Sequence, residues 1–444
     1  MRKAILFLAV LVFVVPGVFA GGGGQRATTP VPGARRDIMF WDMVKGPPDA
    51  YNEALDGLLA KFNAENRENI NVAFQTYSSS EGQARYLTAV NSNTEPDVSS
   101  GFFTHPYQFA DMGIALPLDS IIDQWRRENS IVLRDISQSW MDLFKYDGKQ
   151  YAIPLCVDSR MMFYRTDMFE MAGITQLPKT WAELEEICAK LKAVLPSDVY
   201  PLIFPGGGTG GVTSGIHTLL AYLISNDVGC LDVNGQPDFL NPKVTEMLQF
   251  MNRLWEKGYV PEGVGAYGSS DARRIYQAGK AAMYQYTVLD LRESPELDKL
   301  TAVMPPFAGP SGKSQYLVWI NSILGFNTSK DTDAALKFIK WFMENNLPLW
   351  TEGLTFNAPA RASFFDDPFF SLDNQRKQIL PLLPACVPVT YPSPRIDLAF
   401  TVIDGEALPM EALVNSFVRN PNYQEIQRTV QDKLTNALRQ MERR

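Results

Sequence analysis

The stretch that decides the fold lies about one third of the way along the chain. Residues 147–158 read DGKQYAIPLCVD, residues 162–173 read MFYRTDMFEMAG, and residues 178–181 read PKTW. This order predicts a turn, a buried strand over residues 151–157, a second strand and a short helix, and then a turn before a new helix. The first strand is apolar until Asp158. Ligand contacts in α/β proteins gather beyond the carboxyl ends of strands, so Asp158 is the first candidate for a binding residue.

The N-terminal 20 residues have the parts of a secretory signal peptide. Arg2 and Lys3 precede an apolar run over residues 4–15, and small residues lead to a cleavage point after Ala20. The run is short for a membrane span, so we expect its removal, with retention as an N-terminal anchor as the alternative. Gly21 follows Ala20, so no lipid-modified N-terminal cysteine is expected. These features predict a periplasmic or extracellular protein with a flexible tether over residues 21–36.

The length and the net charge of the chain indicate how many lobes it has and which partners are disfavoured. About 410 residues remain after the leader and tether, too many for one hydrophobic core, so two lobes are expected. The net charge of −8 disfavours nucleic acid and anionic membrane surfaces as partners. The four cysteines are widely spaced, fit no metal pattern, and are expected to be small buried residues. With two histidines in the whole chain, neither a metal site nor a cofactor is expected.

Strands and helices alternate from residue 37 onward. Residues 37–41 and 70–74 read as strands, residues 96–98 lead into another short strand, and residues 51–63 and 81–90 between them read as helices. Strand, helix, strand, helix, strand is the pattern of a parallel sheet with crossover helices. No Gly-x-Gly-x-x-Gly follows the first strand, so a dinucleotide site is disfavoured.

Several short motifs follow one another in a fixed order along the mature chain. They are IMFW at residues 38–41, LLAKFN at 58–63, EPDV at 95–98, DGKQY at 147–151, FYRTDMF at 163–169, PKTWAEL at 178–184, QAGKAAM at 277–283 and NAPAR at 357–361. In this order, over about residues 37–440, the chain resembles the bacterial extracellular solute-binding proteins of ABC importers, the maltose-binding-protein-like group. Each motif is weak alone, and their shared order carries the resemblance.

The resemblance implies an α/β, two-lobed periplasmic-binding-protein fold of type II. Each lobe would be a mixed, mostly parallel sheet flanked by helices, with a hinge between the lobes. Residues 37–155 and 304–346 would form lobe 1, and residues 156–303 and 347–444 would form lobe 2 with the C-terminal helices. The partners that the resemblance implies are a small-molecule ligand, expected to be a carbohydrate, and the membrane permease subunits of an ABC transporter. A monomer is expected.

The resemblance also suggests candidate ligand contacts in the first half of the chain. Asp158 aligns with the acidic residue that holds sugar hydroxyls in maltose-binding relatives, and the alternative is a salt bridge to Arg160. Trp41 and Asp42 would lie at the rim of the cleft, where an indole face suits a pyranose ring, although core packing explains Trp41 equally well. A loop after the Pro-Asp-Val strand, which reaches the ligand in the family, supplies Phe103, His105 and Tyr107.

The second half of the chain adds further candidates. Gly208 and Thr209 lie in a glycine run that lacks the Gly-Lys-Ser/Thr ending of a phosphate loop. The glycines would let the backbone and Thr209 approach a ligand closely, and the alternative is a plain flexible loop. Tyr286 and Thr287 stand where the family often carries a stacking Trp. Tyr286 would then substitute for it, or the ligand is not a typical oligosaccharide. The last two candidates are Trp319 and Arg361, and Arg361 has hinge clamping or pairing with Asp366 as alternatives.

The sequence is therefore compatible with three different functions. The first is a receptor that captures a sugar between two lobes and delivers it to an ABC permease. The second is a secreted carbohydrate-active enzyme, which would need a defined pair of carboxylates that no motif marks here. The third keeps the binding fold but takes an anionic ligand such as a phosphorylated polyol, which arginines such as Arg160 and Arg361 would serve.

Overall fold

The computed structural model describes residues 34–101, 103–208, 214–393, 395–399, 403 and 406–443. The predicted signal peptide and most of the predicted tether lie outside these residues. The first strand begins at Arg36, one residue inside the predicted tether.

Strands and helices alternate along the described chain, as the sequence predicts. The strands are β1 (Arg36–Met43), β2 (Ile70–Tyr77), β3 (Val98–Gly101), β4 (Lys145–Tyr146), β5 (Lys149–Gln150), β6 (Ala152–Arg165), β7 (Tyr200–Ile203), β8 (Ala281–Tyr286), β9 (Thr301–Val303), β10 (Tyr316–Gly325), β11 (Ala358–Pro359) and β12 (Cys386–Pro388). The helices are α1 (Pro48–Glu65), α2 (Ser79–Ser92), α3 (His105–Asp111), α4 (Asp119–Arg127), α5 (Ile131–Asp135), α6 (Gln138–Asp142), α7 (Thr166–Met171), α8 (Trp181–Val194), α9 (Gly215–Ser225), α10 (Pro242–Glu256), α11 (Ser269–Gln277), α12 (Pro295–Leu300), α13 (Thr332–Asn345), α14 (Pro348–Thr351), α15 (Pro368–Leu372), α16 (Arg376–Ile379), α17 (Ile396–Leu398), α18 (Met410–Ser416) and α19 (Tyr423–Met441).

The strand β6 corrects the sequence prediction at its centre. Two strands were expected on either side of Asp158, but one 14-residue strand runs through that position. Its first half pairs with β10 from Ala152 to Arg160, and its second half pairs with β8 and β9. The strand continues past Asp158 because backbone partners are present on both sides of the charged residues. Asp158 is therefore in the middle of a strand and not at its end.

The sheet order shows how β6 joins the two halves of the molecule. On one side, β2, β1 and β3 are parallel neighbours, and β10 runs antiparallel between β3 and β6. On the other side, β8 pairs antiparallel with β6 and parallel with β7. The long strand β6 is thus shared by both sets of strands.

The buried apolar residues form two hydrophobic cores, and the larger one includes residues from both sets of strands, such as Met43, Tyr77 and Met283. One packs α1 and α13 on β1, with the rings of Phe338 and Phe342 each 5.3 Å from the ring of Phe40. The other packs α8, α9 and α10, where Trp181 stacks on Phe250 at 4.7 Å. The apolar positions predicted for three helices are buried: Leu55, Leu58, Leu59 and Phe62 in α1, Leu184, Ile187, Cys188 and Leu191 in α8, and Met247, Phe250, Met251 and Leu254 in α10.

The division of the chain between the lobes stays a prediction. The core around α1 and α13 also contains Leu349, Trp350, Phe364 and Phe370, although the sequence boundaries assign residues after 346 to lobe 2. The helices α18 and α19 contribute Leu413, Val430 and Leu434 to the core around α9 and α10.

A buried polar network ties the ends of β1 and β3 together. The Lys45 ammonium lies 2.8 Å from Asp42 Oδ1 and donates to the Met43 carbonyl and to Ser100 Oγ. The Tyr51 hydroxyl, from α1, donates to the other carboxylate oxygen of Asp42 at 2.8 Å. Asp42 is fully buried, so its charge depends on these partners for stabilisation.

Replacing Lys45 should therefore destabilise this half of the protein. Lys45→Met leaves the Asp42 carboxylate inside with hydroxyl donors and no counter-charge, and breaking a buried pair from one side typically costs about 3–5 kcal/mol. We expect a decrease of that size in the free energy of unfolding, measured by urea denaturation. The double variant Asp42→Asn/Lys45→Met removes both charges and should regain most of the loss. Wild-type stability in Lys45→Met alone would contradict this account.

Candidate functional site

The candidate site lies where β6 crosses from one set of strands to the other. In the antiparallel ladder with β10, Asp158 stands opposite Trp319. One residue past Arg160 the pairing of β6 passes to β8, where Met161 stands opposite Tyr286. Side chains from β6, β8 and β10 are thus brought within reach of one another at the junction.

An ion pair occupies the centre of this junction. Asp158 and Arg160 are two residues apart on one strand, so they share a face of the sheet. Arg160 Nη1 lies 2.7 Å from Asp158 Oδ1, and the Arg160 side chain is 4% exposed against 21% for Asp158. The salt bridge that the sequence offered as the alternative for Asp158 is therefore present. It engages Oδ1, and a carboxylate has a second oxygen that can accept hydrogen bonds.

Two aromatic rings pack on the Arg160 guanidinium. Its central carbon lies 4.7 Å from the ring centre of Tyr286 and 4.5 Å from that of Trp319. Both distances are within the range of cation–π attraction, which is stronger when the groups are desolvated. Each ring is 6% exposed. The two residues predicted to stack on a sugar are thus held against an arginine.

His217, on α9, completes the arrangement and was missed as a site residue by sequence analysis. Its Nδ1 accepts a hydrogen bond from Arg160 Nε at 2.9 Å and lies 2.9 Å from the Tyr286 hydroxyl. Its ring centre is 4.0 Å from that of Trp319. An accepting Nδ1 assigns the ring hydrogen to Nε2. The signal in the sequence was an ionisable residue within a mostly apolar helix. We call Asp158, Arg160, His217, Tyr286 and Trp319 the Arg160 cluster.

The three aromatic candidates that follow β3 form a separate group, and His105 and Tyr107 lie in the helix α3 and not in the predicted loop. Phe103 packs edge-on against Phe144, and His105 is buried 4.8 Å from the ring of Tyr86. Burial lowers the pKa of His105 to about 3, so its ring is neutral at physiological pH. Tyr107 is half-buried, and burial together with nearby Asp397 raises its pKa to about 12.

The candidates at the end of β1 have different surroundings. Trp41 is half-buried, and the guanidinium of Arg85 lies 4.7 Å from its ring centre. Asp42 is in the interior, within the network with Lys45. As contacts to a ligand, both residues remain predictions.

The remaining candidates lie apart from the Arg160 cluster or next to its edge. Arg361 pairs with Asp135 at 3.1 Å and donates to the Met343 carbonyl, so the alternative pairing with Asp366 is wrong. Thr287 follows Tyr286 and accepts a long hydrogen bond from Arg273 at 3.5 Å. Gly208 is partly buried at the end of a described range, and Thr209 lies outside the described residues.

Three further expectations concern metal ligands, membrane spans and cysteines in the described part of the chain. No group of three or more His, Cys, Asp or Glu side chains among these residues could hold a metal ion. No helix among them combines the length and apolar character that crossing a membrane requires. All four cysteines are free thiols; Cys386 is partly exposed, in contrast to the buried position expected, and the other three are buried.

Removing the charge of Asp158 should destabilise the protein through Arg160. Asp158→Asn leaves the buried guanidinium without its counter-charge, and hydrogen bonds to charged groups contribute about 1.5–3 kcal/mol each. We expect a decrease of that order in the free energy of unfolding. Asp123→Asn is the matched control, because Asp123 makes an equally short pair with Arg126 on the surface, where such pairs contribute little. If Asp158→Asn and Asp123→Asn lowered the free energy of unfolding equally, the burial of Arg160 would not be the reason that its pair with Asp158 stabilises the protein.

Comparison with known proteins places the chain in a family. The bacterial extracellular solute-binding protein family matches residues 46–345. A putative binding protein of Brucella abortus (strain 2308) is 26% identical over 268 residues, which are 59% of this chain and 62% of that protein. The match therefore spans less than two thirds of the relative's length.

Solved structures agree with this assignment at the level of the fold. A sugar transporter from Arthrobacter chlorophenolicus A6, with bound laminaribiose, superposes with a TM-score of 0.76 at 22% identity, covering 90% of this chain and 99% of that one. Maltose-bound MalE3 of T. maritima gives a TM-score of 0.73 at 22% identity, covering 90% and 99%. The expected two-lobed α/β fold is confirmed. The chain belongs to the bacterial extracellular solute-binding protein family.

Proposed function

We propose that this protein is a periplasmic or extracellular receptor that captures an uncharged sugar or polyol and delivers it to an ABC permease. The observation that carries the proposal is the meeting of Asp158, Arg160 and Trp319 from the crossing strands with Tyr286 and His217 from the other half of the molecule. A ligand bound there would contact both lobes, which is what closure by a hinge requires. Family membership and the sugar ligands named for structural neighbours support the same reading.

The chemistry of the Arg160 cluster suits neutral hydroxyl groups. Asp158 Oδ2 can accept a hydrogen bond from a ligand hydroxyl while Oδ1 holds Arg160. Trp319 and Tyr286 supply apolar surface for the carbon skeleton.

The same charges disfavour an anionic ligand. The charge of Arg160 is balanced by Asp158, and that of Arg361 by Asp135. A phosphorylated polyol would bring a further negative charge next to Asp158, and like charges in a buried site repel strongly. A carbohydrate-active enzyme is disfavoured because the Asp158 carboxylate is committed to an ion pair with Arg160.

A thermal-shift screen tests the proposed function. Maltose, laminaribiose, D-mannitol and mannitol 1-phosphate should be compared at equal concentration. A ligand present at 100 times its Kd adds about 2.7 kcal/mol to the free energy of unfolding, and so raises the Tm. We expect at least one uncharged compound to do so and the phosphate ester to have a smaller effect. A shift by the phosphate ester alone would favour the anionic alternative, and product in excess of protein would favour the enzyme.

Trp319 should contribute directly to affinity. Trp319→Leu removes the indole face and should weaken binding of the strongest uncharged ligand by about tenfold or more, since tenfold corresponds to about 1.4 kcal/mol. Calorimetric titration measures the affinity. Trp255→Leu is the control, because Trp255 lies on α10 and donates to the Glu262 carbonyl. Unchanged affinity in Trp319→Leu, with the control also unchanged, would place the ligand elsewhere.

A further inference from the structure

A small cavity lies between α9, β8 and the start of β10. Its volume is about 20 Å³, and it is lined by Ala221, Tyr222, Ser225, Gln285, Phe307, Gln315 and Tyr316. Ala221, Tyr222 and Ser225 share one face of α9, because residues three and four apart are neighbours on a helix. The cavity is therefore lined by four separate parts of the chain: α9, β8, the segment that contains Phe307, and the start of β10 with Gln315 before it.

Two of the polar side chains in its wall already have partners. Ser225 Oγ accepts from Trp181 Nε1 at 3.0 Å and donates to the Tyr222 carbonyl at 2.9 Å. The Tyr316 hydroxyl donates to the Met304 carbonyl at 2.6 Å. The hydroxyl groups of Ser225 and Tyr316 therefore need no further hydrogen-bond partner.

The other three polar side chains in the wall each have a buried oxygen without a hydrogen-bond partner in the described part of the chain. Tyr222 Oη, Gln285 Oε1 and Gln315 Oε1 are buried, and none of them has a hydrogen-bond partner within the described part of the chain. Tyr222 and Gln285 are only 2% and 3% exposed. A buried polar atom without a partner is costly, and such atoms are usually satisfied by ordered water. Finding three of them on residues that line one cavity points to a shared partner.

We propose that this cavity is the binding site of one ordered water molecule. A water can donate its two hydrogens to the two glutamine oxygens and accept one from the Tyr222 hydroxyl, which gives the three hydrogen bonds typical of buried water. A water needs about 10–15 Å³, and the cavity provides about 20 Å³. The wall contains no carboxylate, so a cation would have no counter-charge there.

The position of this water gives it a role in shaping the candidate site. Gln285 precedes Tyr286 on β8, Tyr222 lies just over one turn after His217 on α9, and Gln315 precedes the strand that carries Trp319. The water would link the three elements that hold the rings of the Arg160 cluster. It does not depend on which ligand the protein binds.

The direction in which Tyr222→Phe changes the Tm tests the proposal. If the water is present, Tyr222→Phe removes one of its hydrogen bonds, and the Tm should fall by about 1–3 °C in a chain of this size. If the cavity is dry, the same substitution removes a buried unsatisfied hydroxyl, and the Tm should stay the same or rise. Tyr316→Phe is the matched control, because it deletes a hydroxyl that donates to a backbone carbonyl and should lower the Tm in either case.

A crystal structure of the wild-type protein at about 1.8 Å resolution supplies a second, independent readout. We expect one water peak within about 2.6–3.2 Å of all three oxygens, the range of ordinary hydrogen bonds. Such a peak together with a lower Tm for Tyr222→Phe would establish the site. Absence of a peak, or a Tm that is unchanged or raised while the control falls, would overturn it. Both measurements are made without ligand, so they stand whether or not the proposed function is correct.

Discussion

The structure depends on the backbone pairing of β6. This strand forms hydrogen bonds with β10 along its first half and with β8 and β9 along its second half. Its burial is nearly complete over 14 residues, so it forms part of the interior of both halves of the molecule. A strand with these two sets of partners can join two lobes. Any rotation of the lobes must be absorbed by the strands that cross between them.

Burying charge inside such a strand is possible only with compensation. Asp158 and Arg160 supply it for each other, because alternation along a strand places residues two apart on the same face. The two rings and His217 then surround the guanidinium, which is more weakly hydrated than an ammonium and stacks well on aromatic faces. The result is a polar but nearly neutral cluster at the junction of the lobes. A neutral polyhydroxylated ligand matches this chemistry better than an anion does.

Much of the fold could be predicted because local patterns agree with the tertiary structure. The apolar spacing of α1, α8 and α10 and the capping of α8 by Thr180, which accepts from the Glu183 amide, were visible in the sequence. The continuity of β6 was not, because Asp158 and Arg160 look like a strand end until their pairing with each other and with β10 is known. His217 was missed for a similar reason. It is far from Arg160 in the chain, and only folding brings α9 against β6 and β10.

The candidate residues also show which contacts could not be predicted from the sequence. Asp158, Trp319 and Tyr286 were expected to meet at a ligand, and the structure does bring them together. Arg361 was a candidate ligand contact, with hinge clamping or pairing with Asp366 as alternatives, and in the structure it pairs with Asp135, 226 residues earlier in the chain. Pairing at that separation is decided by how the helices pack, and no local pattern reports it. Asp42 likewise looks like a rim residue until the buried Lys45 is found next to it.

The central claim is that the solute binds at the junction of β6 and β10, beside the Asp158–Arg160 pair. A crystal structure of the protein with the uncharged sugar or polyol that most raises its Tm tests this most directly. The account predicts a ligand hydroxyl within about 3 Å of Asp158 Oδ2, the distance of a charge-assisted hydrogen bond, with Trp319 or Tyr286 against the carbon skeleton. A ligand that is well ordered elsewhere in the molecule, with the Arg160 cluster untouched, would contradict it.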